Sequence, residues 1–191
     1  GEGPGVGLKL GYFGALYAPV RTPDAFLDLL EQTFALQPDL QKRLEVHFYG
    51  EIFPEFFKNL TAQPAIRLHG LRSREAVQGA MREMDILLNI GNTTDFQLPS
   101  KAVEYLAAGK PVVNLSYTDE DPFAAFFGDN ALILNLKVKN EKVGAGEIRR
   151  WLEWLEAEKK IPGEAEIRER ITPYLVESIA MRYLLLCNKS A

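Results

Sequence analysis

The sequence predicts an α/β fold: a three-layer α/β/α sandwich with a six-stranded parallel sheet, closed by C-terminal helices. Three observations carry this. Short apolar runs alternate with amphipathic stretches from Leu8 to Leu134, the pattern of strand–helix–strand crossovers. The run Asp85 to Ile90 is apolar enough to be buried on both faces, as strands of parallel sheets are. From Glu147 onward only helical spacing remains.

Each element has a local justification. Leu8 to Phe13 reads as the first strand. Thr22 is read as the cap of the next helix, with Pro23 at its first position, where a missing N–H costs nothing. Phe26, Leu29, Leu30 and Phe34 form that helix's apolar stripe. Leu44 to Tyr49 is a second strand, Phe53 to Leu60 a short helix, and Ala65 to His69 a third strand. Ser73 caps a helix with Val77, Ala80, Met81 and Met84 on one face. Asp85 to Ile90 is the fourth strand. Ser100 opens a two-turn helix that stops at Gly109, and Pro111 to Leu115 is the fifth strand. Pro122 to Phe127 reads as helix and Ala131 to Leu134 as the sixth strand. Glu147 to Lys159, Glu164 to Ile171 and Tyr174 to Asn188 read as helices, with breaks at Pro162-Gly163 and Pro173.

With the strand order 3-2-1-4-5-6, the order reverses between the first and fourth strands. Ligands of such sheets bind in that crevice, beyond the carboxyl ends of the strands. The loops leaving those strands begin at Gly14 and at Gly91-Asn92, and the second runs into the Ser100 helix.

Composition narrows the function classes. A chain of 191 residues predicts one domain, over 8–191, behind a flexible lead of residues 1–7 that reads as a linker or cloning remnant. The abrupt start suggests a domain excised from a longer protein. A net charge of -4 argues against a nucleic-acid partner, whose backbone favours a basic surface. The single cysteine, Cys187, forbids an internal disulfide, which fits a reducing compartment. Two histidines, His47 and His69, do not make a structural zinc site, so no metal is expected. The apolar run Tyr183 to Cys187 is too short to span a bilayer.

The richest segment is Gln97 to Val113. Ser100 can cap the helix, whose free N–H groups and partial positive charge suit a phosphate, and Lys101 adds a full charge. Glu104, four residues after Ser100, lies on the same face and can accept two bonds from a ribose diol. Phosphate at the tip and ribose one turn deeper is a nucleotide-shaped arrangement. As a plain alternative, Lys101 and Glu104 form a surface ion pair worth about 0.3 kcal/mol. Gly14 lets backbone approach a phosphate, and Arg21 can grip phosphate oxygens with two parallel bonds. Alternatively, Gly14 only turns the chain and Arg21 is solvated. No glycine fingerprint of P-loop or dinucleotide type follows the first strand, which disfavours a dinucleotide oxidoreductase. Asp95 suits sugar hydroxyls or a turn. His69 borders a base pocket or is structural. Tyr105, Leu106, Trp151 and Trp154 read as packing residues.

These segments, in this order, resemble the C-terminal donor-binding domain of retaining glycosyltransferases with two facing Rossmann-like domains, the GT-B fold of the group 1 family. Gly11-Tyr12-Phe13-Gly14-Ala15-Leu16 resembles that family's opening strand and glycine loop. Arg21, His47 to Gly50, Ile66 to Leu71, Ser73-Arg74-Glu75 and Met84 to Leu88 follow in register with it, and Pro99-Ser100-Lys101 is similar to a variant preceding its Glu-Tyr helix. The match covers Leu8 to Leu134.

The resemblance implies a nucleotide diphosphate sugar as donor substrate, no required metal or cofactor, and an acceptor-binding N-terminal domain outside this chain. It places Glu104 on the ribose and Arg21 on the diphosphate leaving group, with backbone amides near Gly14 and Ser100 around the phosphates. A cytoplasmic enzyme is implied, with membrane attachment decided by the absent half. Two departures stand out. Ala15 occupies a place where the family often has arginine, and Lys101 is expected to compensate. Phe96 replaces a glutamate that contacts the transferred sugar, leaving Asp95 or Gln97 to substitute. The main rival reading is a non-catalytic nucleotide-sugar or partner-binding module of the same fold.

Overall fold

The computed structural model describes residues 7–92 and 101–187, and the side chains among these up to residue 175. Its elements alternate as the sequence predicts: β1 (Leu8–Phe13), α1 (Asp24–Leu36), α2 (Leu40–Arg43), β2 (Leu44–Tyr49), a 3-10 turn (Pro54–Phe56) leading into α3 (Phe57–Thr61), β3 (Ile66–Gly70), α4 (Arg74–Glu83) and β4 (Ile86–Ile90). Then come α5 (Lys101–Ala108), β5 (Val112–Ser116), α6 (Pro122–Phe127), β6 (Ile133–Lys139), β7 (Lys142–Val143), α7 (Ala145–Glu156) and α8 (Glu164–Cys187).

The sheet order is β3-β2-β1-β4-β5-β6-β7, so the expected reversal between β1 and β4 is present. Every pairing is parallel except β6 with β7. β4 and β5 are buried at every position, as the central strands of a sheet covered on both faces must be. One face packs against α1, α3 and α7 through Phe26, Leu29, Leu60, Ile148 and Trp151. The other packs against α4, α5 and α6 through Met81, Ala102, Tyr105 and Phe123.

Four sequence expectations are corrected. The sheet has a seventh strand: β6 runs on to Lys139 and turns back as β7. This hairpin is polar in sequence and is held from outside, by Asp28 of α1. The Asp28 carboxylate accepts from Lys142 Nζ at 2.9 Å, Val143 N–H at 2.9 Å and Gln32 Nε2 at 2.7 Å. Second, Pro23 rather than Thr22 occupies the N-cap of α1, and no side chain caps it. The Thr22 hydroxyl donates instead to Glu141 Oε2 at 3.1 Å. Third, Pro173 does not break the chain: α8 runs through it as one helix. Packing outweighs the one missing backbone bond, since Ile167 fills the space over Gly109 and Tyr174 lies 4.7 Å from Phe126. Fourth, α7 starts earlier and stops earlier than expected, over Ala145–Glu156.

Two interior features bear on the site. Asn89, Asn114 and Asn135 sit side by side on β4, β5 and β6. Asn89 Nδ2 donates to Asn114 Oδ1 at 2.8 Å, and Asn114 Nδ2 donates to Asn135 Oδ1 at 2.9 Å and to Asp121 Oδ2 at 2.8 Å. Asp121 in turn caps α6, accepting from Phe123 N–H at 2.8 Å. Gly50 has φ +133°, and a Cβ there would stand 2.1 Å from the Gly14 carbonyl oxygen. The loops leaving β1 and β2 are thus pressed together where only glycine fits.

Candidate functional site

The carboxyl ends of β1 and β4 meet beside the loops that carry the sequence-predicted residues. Arg21 lies in the loop after β1 and Asn92 in the loop after β4. Arg21 donates from Nε at 2.9 Å and from Nη2 at 2.7 Å, both to Asn92 Oδ1. This contact spans the reversal in strand order and uses one edge of the guanidinium. Hydrogen bonds to a charged group contribute roughly 1.5–3 kcal/mol, enough to fix the side chain.

Tyr12, in β1, sits behind Arg21. Its hydroxyl donates to the Ala15 carbonyl at 2.9 Å. Burial pushes the Tyr12 hydroxyl up to about 12, with the Arg21 guanidinium pulling the other way. Gly14 completes the group. A Cβ on it would lie 3.0 Å from Tyr12 Oη and 3.5 Å from Arg21 Nη1. Its lack of a side chain therefore gives Tyr12 and Arg21 their places. Its N–H is occupied, donating to the Tyr49 carbonyl at 2.9 Å, and Leu16 N–H donates to Glu51 at 2.9 Å. Gly14 contributes room rather than a free amide.

α5 is bolted to this junction by Tyr105, which the sequence marks as a packing residue. Its hydroxyl accepts from Phe13 N–H at 3.2 Å and donates to the Leu88 carbonyl at 2.8 Å, joining the end of β1 to the middle of β4. Burial, reinforced by Tyr12, pushes its ionisation far above the ordinary tyrosine range, so it stays neutral and keeps both roles. One position before it, Glu104 is exposed and accepts from Lys101 Nζ at 3.3 Å. With side-chain exposures of 32% and 46%, this pair contributes only about 0.2–0.5 kcal/mol. Lys101 and Glu104 are therefore free to exchange each other for a ligand, whereas Arg21 is held. Glu104 also borders a groove of about 280 Å³ with Arg82 and Met81 of α4. Asp95, Phe96, Gln97 and Ser100 lie outside the described residues.

On the β3 side, Phe13, Tyr49, His69 and His47 form a row of parallel rings, with Tyr49 and His69 centroids 4.2 Å apart. His47 Nδ1 and His69 Nε2 are 2.9 Å apart, and Glu45 Oε2 lies 3.2 Å from His47 Nε2. Burial lowers the His69 pKa, helped by His47 and Arg72. His69 thus has structural partners at the rim of the same edge.

On the far side stands a group that sequence reasoning missed. The β6–β7 turn places Asn140 at φ 49° and Glu141 at φ 57°. The left-handed region costs a residue such as glutamate about 1 kcal/mol or more. Glu141 Oε2 accepts from Thr22 Oγ1 at 3.1 Å and from Tyr117 Oη at 3.4 Å. Burial and the Glu141 charge push the Tyr117 hydroxyl well above its ordinary range. Asn92 was equally unmarked, since an asparagine after glycine reads as a turn residue.

Two larger cavities lie elsewhere. One of about 680 Å³ runs between the end of α1 and α7, and one of about 560 Å³ lies between the approach to β6 and α8. Among the described residues no group of three or more His, Cys, Asp or Glu can hold a metal, and no helix is long and apolar enough to cross a membrane.

Neither a family model nor a curated protein matches the sequence. Solved structures match in fold. Anabaena HepE in complex with UDP and glucose superposes with a TM-score of 0.63 at 16% identity, over 92% of this chain and 48% of its own. WaaG, a glycosyltransferase involved in lipopolysaccharide biosynthesis, gives 0.58 at 17%, over 90% of this chain and 43% of its own. The chain thus spans less than half of either. The C-terminal domain of LpcC, a glycosyl transferase group 1 family protein from Francisella tularensis, gives 0.57 at 16%, over 93% of this chain and 87% of that domain. The chain therefore has the fold of the C-terminal domain of GT-B glycosyltransferases.

Proposed function

We propose that this chain is the donor-binding half of a retaining glycosyltransferase, taking a nucleotide diphosphate sugar at the junction of β1 and β4. The observation that carries the reading is the Arg21 guanidinium, fixed by Asn92 at the reversal in strand order with Nη1 turned toward the side-chain-free Gly14. Anchored cations at such a junction suit a diphosphate. Negative charge grows on the leaving phosphate as the glycosidic bond breaks, so donors already in place stabilise the transition state. Arg21 and Lys101 carry that task, with the amino end of α5 and Ser100. Glu104 holds the ribose by exchanging Lys101 for the diol, and the sugar hydroxyls are assigned to Asp95 on its residue type alone. The side chains manage the charge with no required metal.

The acceptor-binding domain belongs to the remainder of a longer protein, as the partial coverage of the matched structures supports, and a cytoplasmic location is part of the same proposal. This chain alone binds donor and transfers little. Phe96, standing where the related family has a sugar-contacting glutamate, favours a second reading: a binding module that kept the fold without catalysis.

Calorimetric titration of the chain with UDP, GDP and a nicotinamide dinucleotide tests donor binding. We expect a nucleoside diphosphate to bind and to raise the melting temperature more than the dinucleotide. The reverse order ends the reading. Sugar-transfer assays on the full-length protein separate enzyme from module.

A further inference from the structure

The contacts at the strand ends close into a ring. Asn92 holds Arg21. Thr22, next in the chain to Arg21, donates its hydroxyl to Glu141. Glu141 accepts from Tyr117 through the same oxygen. The Tyr117 ring lies against Gly91, where a Cβ would stand 3.5 Å from Tyr117 Cδ2, and Gly91 precedes Asn92. Both residues that make the Arg21–Asn92 contact are thus braced from behind, through their chain neighbours, by Glu141 and Tyr117.

Asn140 and Glu141 adopt φ 49° and 57°, as the two-residue turn between paired Lys139 and Lys142 requires, and the turn is locked at its base by Asp28 gripping Lys142 and Val143. The Asp28 clamp fixes the hairpin on α1, and the turn directs the Glu141 carboxylate to Thr22, two residues before α1. Thr22 is thereby withdrawn from helix capping, which α1 does without.

We propose that Glu141 is a positioning residue for Arg21: the β6–β7 hairpin sets the guanidinium for a nucleoside diphosphate, acting through Thr22 on one side and through Tyr117 and Gly91 on the other. The inference rests on the donor-site reading above. Glu141 touches no ligand in this scheme. Its carboxylate oxygen accepts two hydroxyl bonds, so an amide oxygen of the same reach can stand in for it.

The test is a double-mutant cycle read by titration of the chain with UDP and GDP. Arg21→Ala weakens whichever diphosphate binds, by roughly tenfold. Glu141→Ala weakens it by roughly fivefold, and Glu141→Gln restores most of that loss. In the Arg21→Ala background, Glu141→Ala adds nothing, because no guanidinium remains to be positioned. Full additivity overturns the proposal, as does unchanged affinity in Glu141→Ala while Arg21→Ala weakens binding. Failure of rescue by glutamine likewise counts against it. Should Arg21→Ala itself leave affinity unchanged, the donor-site reading falls and this proposal with it. If Glu141→Ala does not fold, Thr22→Val and Tyr117→Phe remove one hydroxyl each. Either one weakening diphosphate binding only when Arg21 is present supports the brace, and neither doing so overturns it.

Discussion

Arg21 and Asn92, seventy-one positions apart, share a single amide oxygen that accepts two guanidinium N–H groups at 2.9 and 2.7 Å. The asparagine is neutral, so it orients the cation without cancelling its charge. A carboxylate in its place would have held Arg21 as firmly and spent the charge that an anionic ligand needs.

Asn92→Asp should therefore weaken UDP or GDP binding more than Asn92→Ala does. Alanine frees the guanidinium; aspartate neutralises it. The loss for Asn92→Asp should be about tenfold, and larger at low salt, where screening is weaker. Calorimetry at two ionic strengths reads this directly, and equal losses for both variants would contradict it.

Two glycine-to-alanine changes should have opposite signs. Gly50→Ala places a methyl 2.1 Å from the Gly14 carbonyl at a left-handed φ and should cost about 2 kcal/mol or more. Gly79→Ala, in the interior of α4 with nothing within 4 Å of the new carbon, should stabilise by about 0.5–1 kcal/mol. Urea denaturation midpoints distinguish the two.

Asp28 should make the fold acid-sensitive. Burial alone would raise its pKa, but Lys142, the Val143 N–H and Gln32 together hold it below the ordinary value of 3.8. A depressed carboxyl contributes stability that is fully present above the unfolded value and is lost as pH falls through the folded one. The gap in unfolding free energy between the protein and Asp28→Asn should be constant near neutrality and close progressively below about pH 4. A gap that stays constant into strong acid would refute the assignment.

His69 should titrate below 6.5, because burial, His47 and Arg72 all disfavour its charged form. Its contribution to stability is present above the unfolded pKa and falls as pH drops from there toward the folded value. The chain has only two histidines, so their imidazole proton signals are assigned with a single His47→Gln variant. That variant should also move His69 back toward 6.5.

The fold was legible where apolar spacing decides it. β1 and β2 fall on the residues that their apolar runs mark, and Ser73 caps α4 by accepting from Ala76 N–H at 3.2 Å, as its place before the helix implies. The β6–β7 hairpin was not legible, because Lys139, Asn140, Glu141 and Lys142 carry no apolar signal and depend on Asp28, more than a hundred residues earlier. Pro173 misled for a related reason: its local cost is visible in sequence, while the contacts of Ile167 and Tyr174 that offset it are not. At the site, Arg21 and Gly14 were marked by residue type and position. Asn92 was not, and Tyr105 was marked only for packing, since what the two bridge is set by contacts distant in sequence. Asp95 and Ser100 lie outside the described residues.

The asparagine row across β4, β5 and β6 settles a choice that the greasy residues leave open. Sliding β5 by two positions against its neighbours would keep every apolar side chain on its own face, so oil-and-water sorting would tolerate the misalignment. It would also part Asn114 from Asn89 and Asn135 and take these partners from the buried amides of Asn89 and Asn114. Two short polar links thus act as a detent, and the loops beyond these strands inherit their alignment from it.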